Sequence, residues 1–198
     1  MRKFLSLPQE KQNRIVDAAM TLFGEVGYKK AYISEIATNA GISKALIFHY
    51  FGSKKGLYSY LVYYTGKIVM TEAQHERDTA NKDFFDRAIT TIKFRLALKS
   101  RYPAMNAFID SVYNEDEPEV EEDINRLKAI ATDMHTKVEL SVAEASLLKD
   151  GTDPVIVVEL IEKYTEGVVY NWQTDTSVDD AINNVTKCLN MLKKMLLR

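Results

Sequence analysis

The 198-residue chain has little of what usually interrupts, crosslinks or anchors a fold. Its single cysteine, Cys188, excludes an internal disulfide and fits a reducing cytoplasm. Four prolines and eight glycines leave few points at which a helix must stop. The N-terminal MRKFLSLPQEK lacks the apolar core of a signal peptide, and no apolar run approaches the ~18 residues that span a bilayer. These absences predict a soluble cytoplasmic protein with no membrane partner.

Charge is unevenly distributed along the chain. Residues 1–60 carry nine Lys or Arg against four Asp or Glu, whereas residues 61–198 carry seventeen against twenty-four. A basic head on an acidic body favours an anionic partner for the head. Chance clustering of surface charge would give the same distribution. Charge alone therefore does not identify a partner for residues 1–60, and the individual residues of this head have to.

Apolar residues recur at helical spacing through most of the chain, which predicts an all-α fold. The first stripe starts after Pro8 and ends at Gly27, the usual asymmetry of helix ends. A near-heptad spacing of apolar residues predicts one long helix from Val120 to Leu148. The β-branched PVIVV run at 154–158 could be a strand, but we interpret it as a helix because the helical spacing of apolar residues continues after it. Further helices are predicted at about 34–40, 43–51, from Ser53, 82–100, 103–113 and from Ser177.

Two short helices joined at NAGI have the proportions of a helix-turn-helix. Gly41 can adopt the positive φ of a tight turn. In the second helix, Ile47 and Phe51 are four residues apart and share the buried stripe. Lys44, Ala45, Phe48 and His49 then face outward, and such a helix fits the major groove of B-DNA.

Lys54 and Lys55 follow in the first turn of the next helix, where cations oppose the helix dipole. A phosphate bound at this helix start would meet both the backbone N–H groups and the lysines. The unfavourable placement therefore indicates that DNA supplies the anion.

The motifs AAMTLFGEVGY and YISEIATNAGISKALIFHYFGSKKGLY, with the helix after them, resemble the DNA-binding domain of the tetracycline-repressor (TetR) family over about a third of the chain. The resemblance implies an N-terminal three-helix helix-turn-helix domain over residues 9–69, with the motif at about 32–51. It also implies a helical ligand-binding and dimerisation domain over residues 70–198. The family forms homodimers through the last two helices.

The resemblance also implies roles for single residues. Ser34, Ser43, Tyr50 and Lys54 would hold the DNA backbone, and Lys44, Ala45 and His49 would read or approach base edges. Two positions depart from the family pattern: Phe48 stands where Tyr is frequent, and Lys55 where an acidic residue is common. Ser34 and Ser43 have an alternative role as helix caps, and His49 alone would be an ordinary surface residue.

For the C-terminal half, the resemblance implies a cavity for a small effector. The candidate lining residues are mostly apolar and include several hydroxyl groups, which favours a hydrophobic or amphipathic effector. His135 is the candidate polar anchor. Aromatic residues at helical spacing belong to a core more often than to a pocket, so for each candidate the alternative to effector binding is packing in the core. The predicted effector-binding residues are Phe94, Tyr102, Met105, Phe108, Met134, His135, Tyr164 and Trp172.

Catalysis is not expected, and neither a cofactor nor a metal is predicted. The three histidines form no HExxH pair, and the Glu-x-x-His unit ending at His75 has no second copy. A helical module whose basic head binds an acidic protein or membrane surface remains the third interpretation. The predicted function is a repressor, released from a palindromic operator in double-stranded DNA by its effector.

Overall fold

The computed structural model describes residues 2–75, 83–135, 140–172 and 177–198. Within these ranges the regular secondary structure is helical, apart from one isolated bridge between Leu148 and Leu197, so the all-α prediction is confirmed. None of the described helices is long and apolar enough to cross a membrane. The elements in chain order are α1 (Arg2–Leu5), α2 (Gln9–Lys30), α3 (Ile33–Asn39), α4 (Lys44–Phe51), α5 (Lys54–His75), α6 (Phe84–Arg101), α7 (Pro103–Tyr113), the 3₁₀ helix η1 (Pro118–Val120), α8 (Glu121–His135), α9 (Val142–Ala145), α10 (Pro154–Asn171) and α11 (Val178–Leu196).

The helices form two compact units. The first comprises residues 1–71 and 102–133, and the second comprises residues 72–101 and 134–198. The first unit thus groups the predicted head with α7, which the sequence assigns to the domain at 70–198. Compact units and functional domains divide a chain by different criteria, and the predicted boundaries stay a prediction.

The core of the first unit is built around α2 and α7. Gly24 lies so close to α7 that an added Cβ would stand 2.9 Å from the carbonyl carbon of Ala107. Phe108, which is fully buried, packs its ring 6.3 Å from Phe23 and 5.1 Å from Tyr58, measured between ring centroids. Such offset and edge-on ring pairs add stability beyond the area that they bury. Aromatic packing therefore joins α7 to α2 and α5.

In the second unit, α6, α10 and α11 share one apolar cluster, which is tied together by polar contacts at its edges. Lys193 of α11 pairs with Asp83 and, at 3.1 Å, with Asp86. Arg87 donates two hydrogen bonds to Glu144, at 2.8 and 3.0 Å. These bonds, together with those from Ser141, lower the pKa of Glu144 to about 2, because they stabilise its charged form against the opposing effect of burial.

Several predicted elements are confirmed, and one is wrong. α7 spans 103–113, the 154–158 run lies inside α10, and Ser177 caps α11 by accepting a hydrogen bond from the Asp180 N–H. The long helix expected from Val120 to Leu148 does not exist. Ser141 has an extended backbone and forms a capping box with Glu144, which starts α9 as a separate helix.

Candidate nucleic-acid interface

The turn between α3 and α4 has the predicted geometry. Gly41 adopts a φ of 66°, and the Ile42 N–H donates to the Ala37 carbonyl at 2.9 Å. Ile36 on α3 and Ile47 on α4 are fully buried, so each helix turns one apolar side inward. The close packing of two short helices across a glycine turn sets the orientation of α4.

Four residues on α4 face away from this core, as the sequence predicts: Lys44, Ala45, Phe48 and His49 are exposed. The Lys44 Nζ lies 5.8 Å from the centre of the Phe48 ring, one helical turn away. Cationic, small, aromatic and imidazole side chains thus share one accessible surface. We call these four residues the α4 ridge.

The two predicted serine contacts differ in position. The Ser43 Oγ accepts from the Leu46 N–H at 3.3 Å, so Ser43 is the N-cap of α4. Ser34 lies inside α3, whose N-cap is Tyr32, and the capping alternative is therefore wrong for Ser34. Both serines are exposed.

Lys54 and Lys55 begin α5, with Ser53 accepting from the Gly56 N–H at 2.9 Å. Lys55 is exposed, but Lys54 is bent back onto the head. Its Nζ donates to the Lys29 carbonyl at 3.2 Å and lies 4.5 Å from the Tyr28 ring centre. Burial lowers the pKa of Lys54, which the surrounding glutamates partly offset. Of the two predicted phosphate contacts here, Lys55 is the more accessible.

Tyr50 lies on the inner side of α4 rather than on the ridge. Only 7% of its surface is exposed, and its ring centroid is 6.0 Å from that of Phe4. Phe4 is fully buried and also packs against Phe51 and Tyr60, with centroids 4.8 and 5.2 Å away. Burial of the Tyr60 hydroxyl raises its pKa to about 12. Sequence reasoning missed Phe4, because one aromatic residue in a four-residue helix carries no periodicity.

An acidic loop after α7 contacts the end of α2. The Tyr28 N–H donates to the Glu115 carboxylate at 2.6 Å, just after Gly27 breaks the helix with a φ of 76°. The Lys29 Nζ pairs with Glu117 at 3.0 Å, and this carboxylate raises the pKa of Lys29. The loop therefore supplies an acceptor for a backbone N–H at the helix break. No sequence pattern links positions 87 residues apart, so this contact was not predictable.

The predicted effector-binding residues lie in both units. Met105 and Phe108 are buried in the first unit, where Tyr102 is half-buried. Trp172 is buried in the apolar cluster of the second unit, where Phe94 and Tyr164 are half-buried. The side chains of Met134 and His135 lie outside the described residues. Phe108 is engaged with other core rings, so its part in a pocket stays a prediction.

The orienting turn, the buried inner stripe and the exposed α4 ridge define a helix-turn-helix unit. Residues 15–61 match the family model described as "Bacterial regulatory proteins, tetR family". The HTH-type transcriptional regulator BetI of Serratia proteamaculans (strain 568) is 35% identical over 68 residues, which are 32% of this chain and 34% of BetI. The chain thus spans about a third of the length of the curated relatives it matches.

Solved structures share the fold over nearly the whole chain. A TetR family transcriptional regulator from Chloroflexus aurantiacus J-10-fl superposes with a TM-score of 0.74 at 15% identity, covering 100% of this chain and 98% of that one. FadR from Bacillus subtilis in complex with stearoyl-CoA gives 0.62 at 18% identity, over 89% and 96%. AibR in complex with isovaleryl coenzyme A and operator DNA gives 0.67 at 14% identity, over 91% and 97%. The N-terminal part of the chain, residues 15–61, is thus similar to the tetR family of bacterial regulatory proteins, and the whole chain shares its fold with solved members of that family.

Proposed function

We propose that this chain is a transcriptional repressor that binds a palindromic operator as a homodimer and releases it when a hydrophobic or amphipathic small molecule binds. The α4 ridge is the observation that carries the proposal. An α-helix fits the major groove, where lysine and histidine donors reach base edges and a small residue allows close approach. The buried side of α4 leaves only this surface to project.

The exposed surface of α10 and α11 supports the proposed dimerisation. On α10, Ile156, Leu160 and Tyr170 are 61, 50 and 79% exposed, and a Cβ added at Gly167 would meet nothing. On α11, Met191 and Met195 are 54 and 59% exposed, one turn apart. Apolar side chains clustered on two neighbouring helices favour burial against a second copy. A two-fold dimer in turn requires a two-fold symmetric operator.

The operator can be found by sequencing genomic fragments that the purified protein captures, and its recognition tested by substitution. Lys44→Ala and His49→Ala should each weaken operator binding by about 1–3 kcal/mol per site and lower the preference for operator over random duplex, because base contacts carry the discrimination. Fluorescence anisotropy with both duplexes, across a salt series, gives the two affinities.

Lys67→Ala is the matched control. Lys67 is exposed on α5, and thirteen residues at a helical rise place it about 20 Å along that helix from Lys54. It should change both affinities little. Equal losses on operator and random DNA for His49→Ala would remove His49 from the base-reading set, and failure of the unmodified protein to bind any duplex would remove the proposed function.

An acyl-coenzyme A is the effector class that we propose to test first. Two proteins of this fold are described as complexes with stearoyl-CoA and isovaleryl coenzyme A. In this chain, the Trp172 indole N–H is buried and has no hydrogen-bond partner among the described residues. A buried donor of this kind calls for an acceptor, which a polar group of an amphipathic ligand provides.

Trp172 is the only tryptophan of the chain, so its fluorescence reports on this region. Titration with stearoyl-CoA or isovaleryl-CoA should change that fluorescence and weaken operator binding by about 5–150-fold, the range of typical allosteric coupling. Free coenzyme A is the control. A ligand that changes the fluorescence but leaves operator affinity intact removes the coupling, and the absence of any binding removes this effector class.

Coupling requires that the effector bind one arrangement of the two heads better than another. α5, which starts after Ser53 and continues the chain out of the head, is one connection that can transmit such a change. α7 offers a second connection, because Gly24 lets it lie directly on α2 and Glu115 holds the backbone of Tyr28. Displacement of α7 would thereby move the head without passing through α5.

A further inference from the structure

Helix α1 precedes the segment that matches the family model, yet it packs against α4. Phe4 is its only buried residue, and the ring contacts Tyr50, Phe51 and Tyr60. The Gln12 side-chain amide donates to the Leu7 carbonyl at 2.9 Å and to the Leu5 carbonyl at 3.3 Å. The segment is thus fixed at both ends, by an aromatic anchor and by hydrogen bonds from α2.

The remaining polar part of α1 is cationic. Arg2 and Lys3 are both exposed, and the first acidic residue of the chain is Glu10. Neither side chain contributes to the core of the first unit. The anchor therefore holds two positive charges beside α4, at the end where Tyr50 and Phe51 face inward.

An α-helix with its side chains is about as wide as the major groove that receives it. Tyr50 and Phe51 belong to the last turn of α4, so a segment that packs against them lies beside the end of the helix, where the chain leaves the groove and the phosphates run. Arginine and lysine at that position meet the charge that dominates the affinity of DNA-binding proteins. Their long side chains extend the reach of α1 beyond its backbone.

We infer that residues 2–7 are part of the DNA-binding surface: Arg2 and Lys3 contact phosphates flanking the site of α4, and Phe4 is the positioning residue that holds them there. This inference rests on the proposed function. It adds contacts outside the predicted 9–69 domain, and these contacts carry no sequence information.

The test uses the full chain and measures affinity for operator and random duplex at several salt concentrations. Arg2→Gln/Lys3→Gln should weaken both duplexes by the same factor, and the log–log salt dependence should become shallower by about 0.9 for each phosphate that is no longer neutralised. Lys67→Gln/Lys93→Gln makes the same charge change at exposed sites on α5 and α6 and should leave the slope unchanged. Identical behaviour of the two double variants overturns the phosphate contacts.

Phe4→Leu tests the anchor, because it keeps an apolar side chain in the site. If Phe4 acts by holding the two cations, Phe4→Leu should reproduce the shallower slope and should have little further effect when combined with Arg2→Gln/Lys3→Gln. Full additivity of the two changes would make Phe4 a purely structural residue and overturn its positioning role. Failure of the unmodified protein to bind any duplex is a separate result, which tells against the proposed function instead.

Discussion

Replacing Phe108 by alanine should lower the free energy of unfolding by about 3–5 kcal/mol, the range for removing a buried aromatic ring. Phe108 is fully buried and contacts the rings of Phe23 and Tyr58, so the cavity left behind would lie where α7, α2 and α5 meet. Domains are stable by only about 5–15 kcal/mol in total, and the loss would be a large part of that. Urea unfolding followed by circular dichroism measures it.

Phe48→Ala is the matched control, since the same ring is removed from a position that is 39% exposed. Its cost should stay below about 1 kcal/mol, as for surface substitutions in general. The comparison also decides between the two interpretations of Phe108. A small loss would mean that its ring borders open space, in accord with its predicted place in an effector pocket, whereas a large loss assigns it to the core.

A charge placed on α10 should separate the proposed dimer. Ile156 is 61% exposed at the start of the apolar surface that α10 shares with Leu160, and glutamate there would have to be buried unpaired in a two-fold interface. Ile156→Glu should therefore yield monomers in analytical ultracentrifugation. A monomer carries only one head and cannot bind both half-sites at once, so operator affinity should fall by about 10²–10⁴.

Val142→Glu controls for the new charge, because Val142 is 90% exposed on α9 and outside the proposed interface. It should leave both the assembly state and operator affinity unchanged. A variant at Ile156 that remains dimeric and binds the operator normally would place the interface elsewhere. A variant that is monomeric but keeps full operator affinity would contradict the proposal that operator binding requires both heads of a dimer.

Local signals account for the parts of this molecule that the sequence predicted well. Gly41 marks the turn because positive φ favours glycine, and the four-residue spacing of Ile47 and Phe51 separates the inner side of α4 from the ridge. Pro103 at the first position of α7 identifies that helix start. Each of these inferences needs only residues that are neighbours along the chain.

The sequence could not reveal contacts between distant positions. Glu115 meets Tyr28, and Phe4 meets Tyr60, only after the chain has folded. Lys54 keeps the predicted place in its helix, but its amine turns to the Lys29 carbonyl. Ser141 is a different case. Serine at 141 and glutamate at 144 have the spacing of a capping box, which predicts a helix start, but the near-heptad spacing of apolar residues favoured one continuous helix instead.

The absence of a side chain at position 24 has a mechanical consequence. An interface cushioned by long side chains absorbs small displacements through rotamer changes, whereas here a Cβ would stand 2.9 Å from the Ala107 carbonyl carbon and 3.0 Å from the Phe108 nitrogen. The third near atom is the Ala107 Cβ, also at 2.9 Å, so the close atoms belong to the backbone and to a side chain that has no rotamers. When α2 or α7 shifts by a fraction of an ångström, the other helix must therefore move with it. The contact between these two helices is rigid.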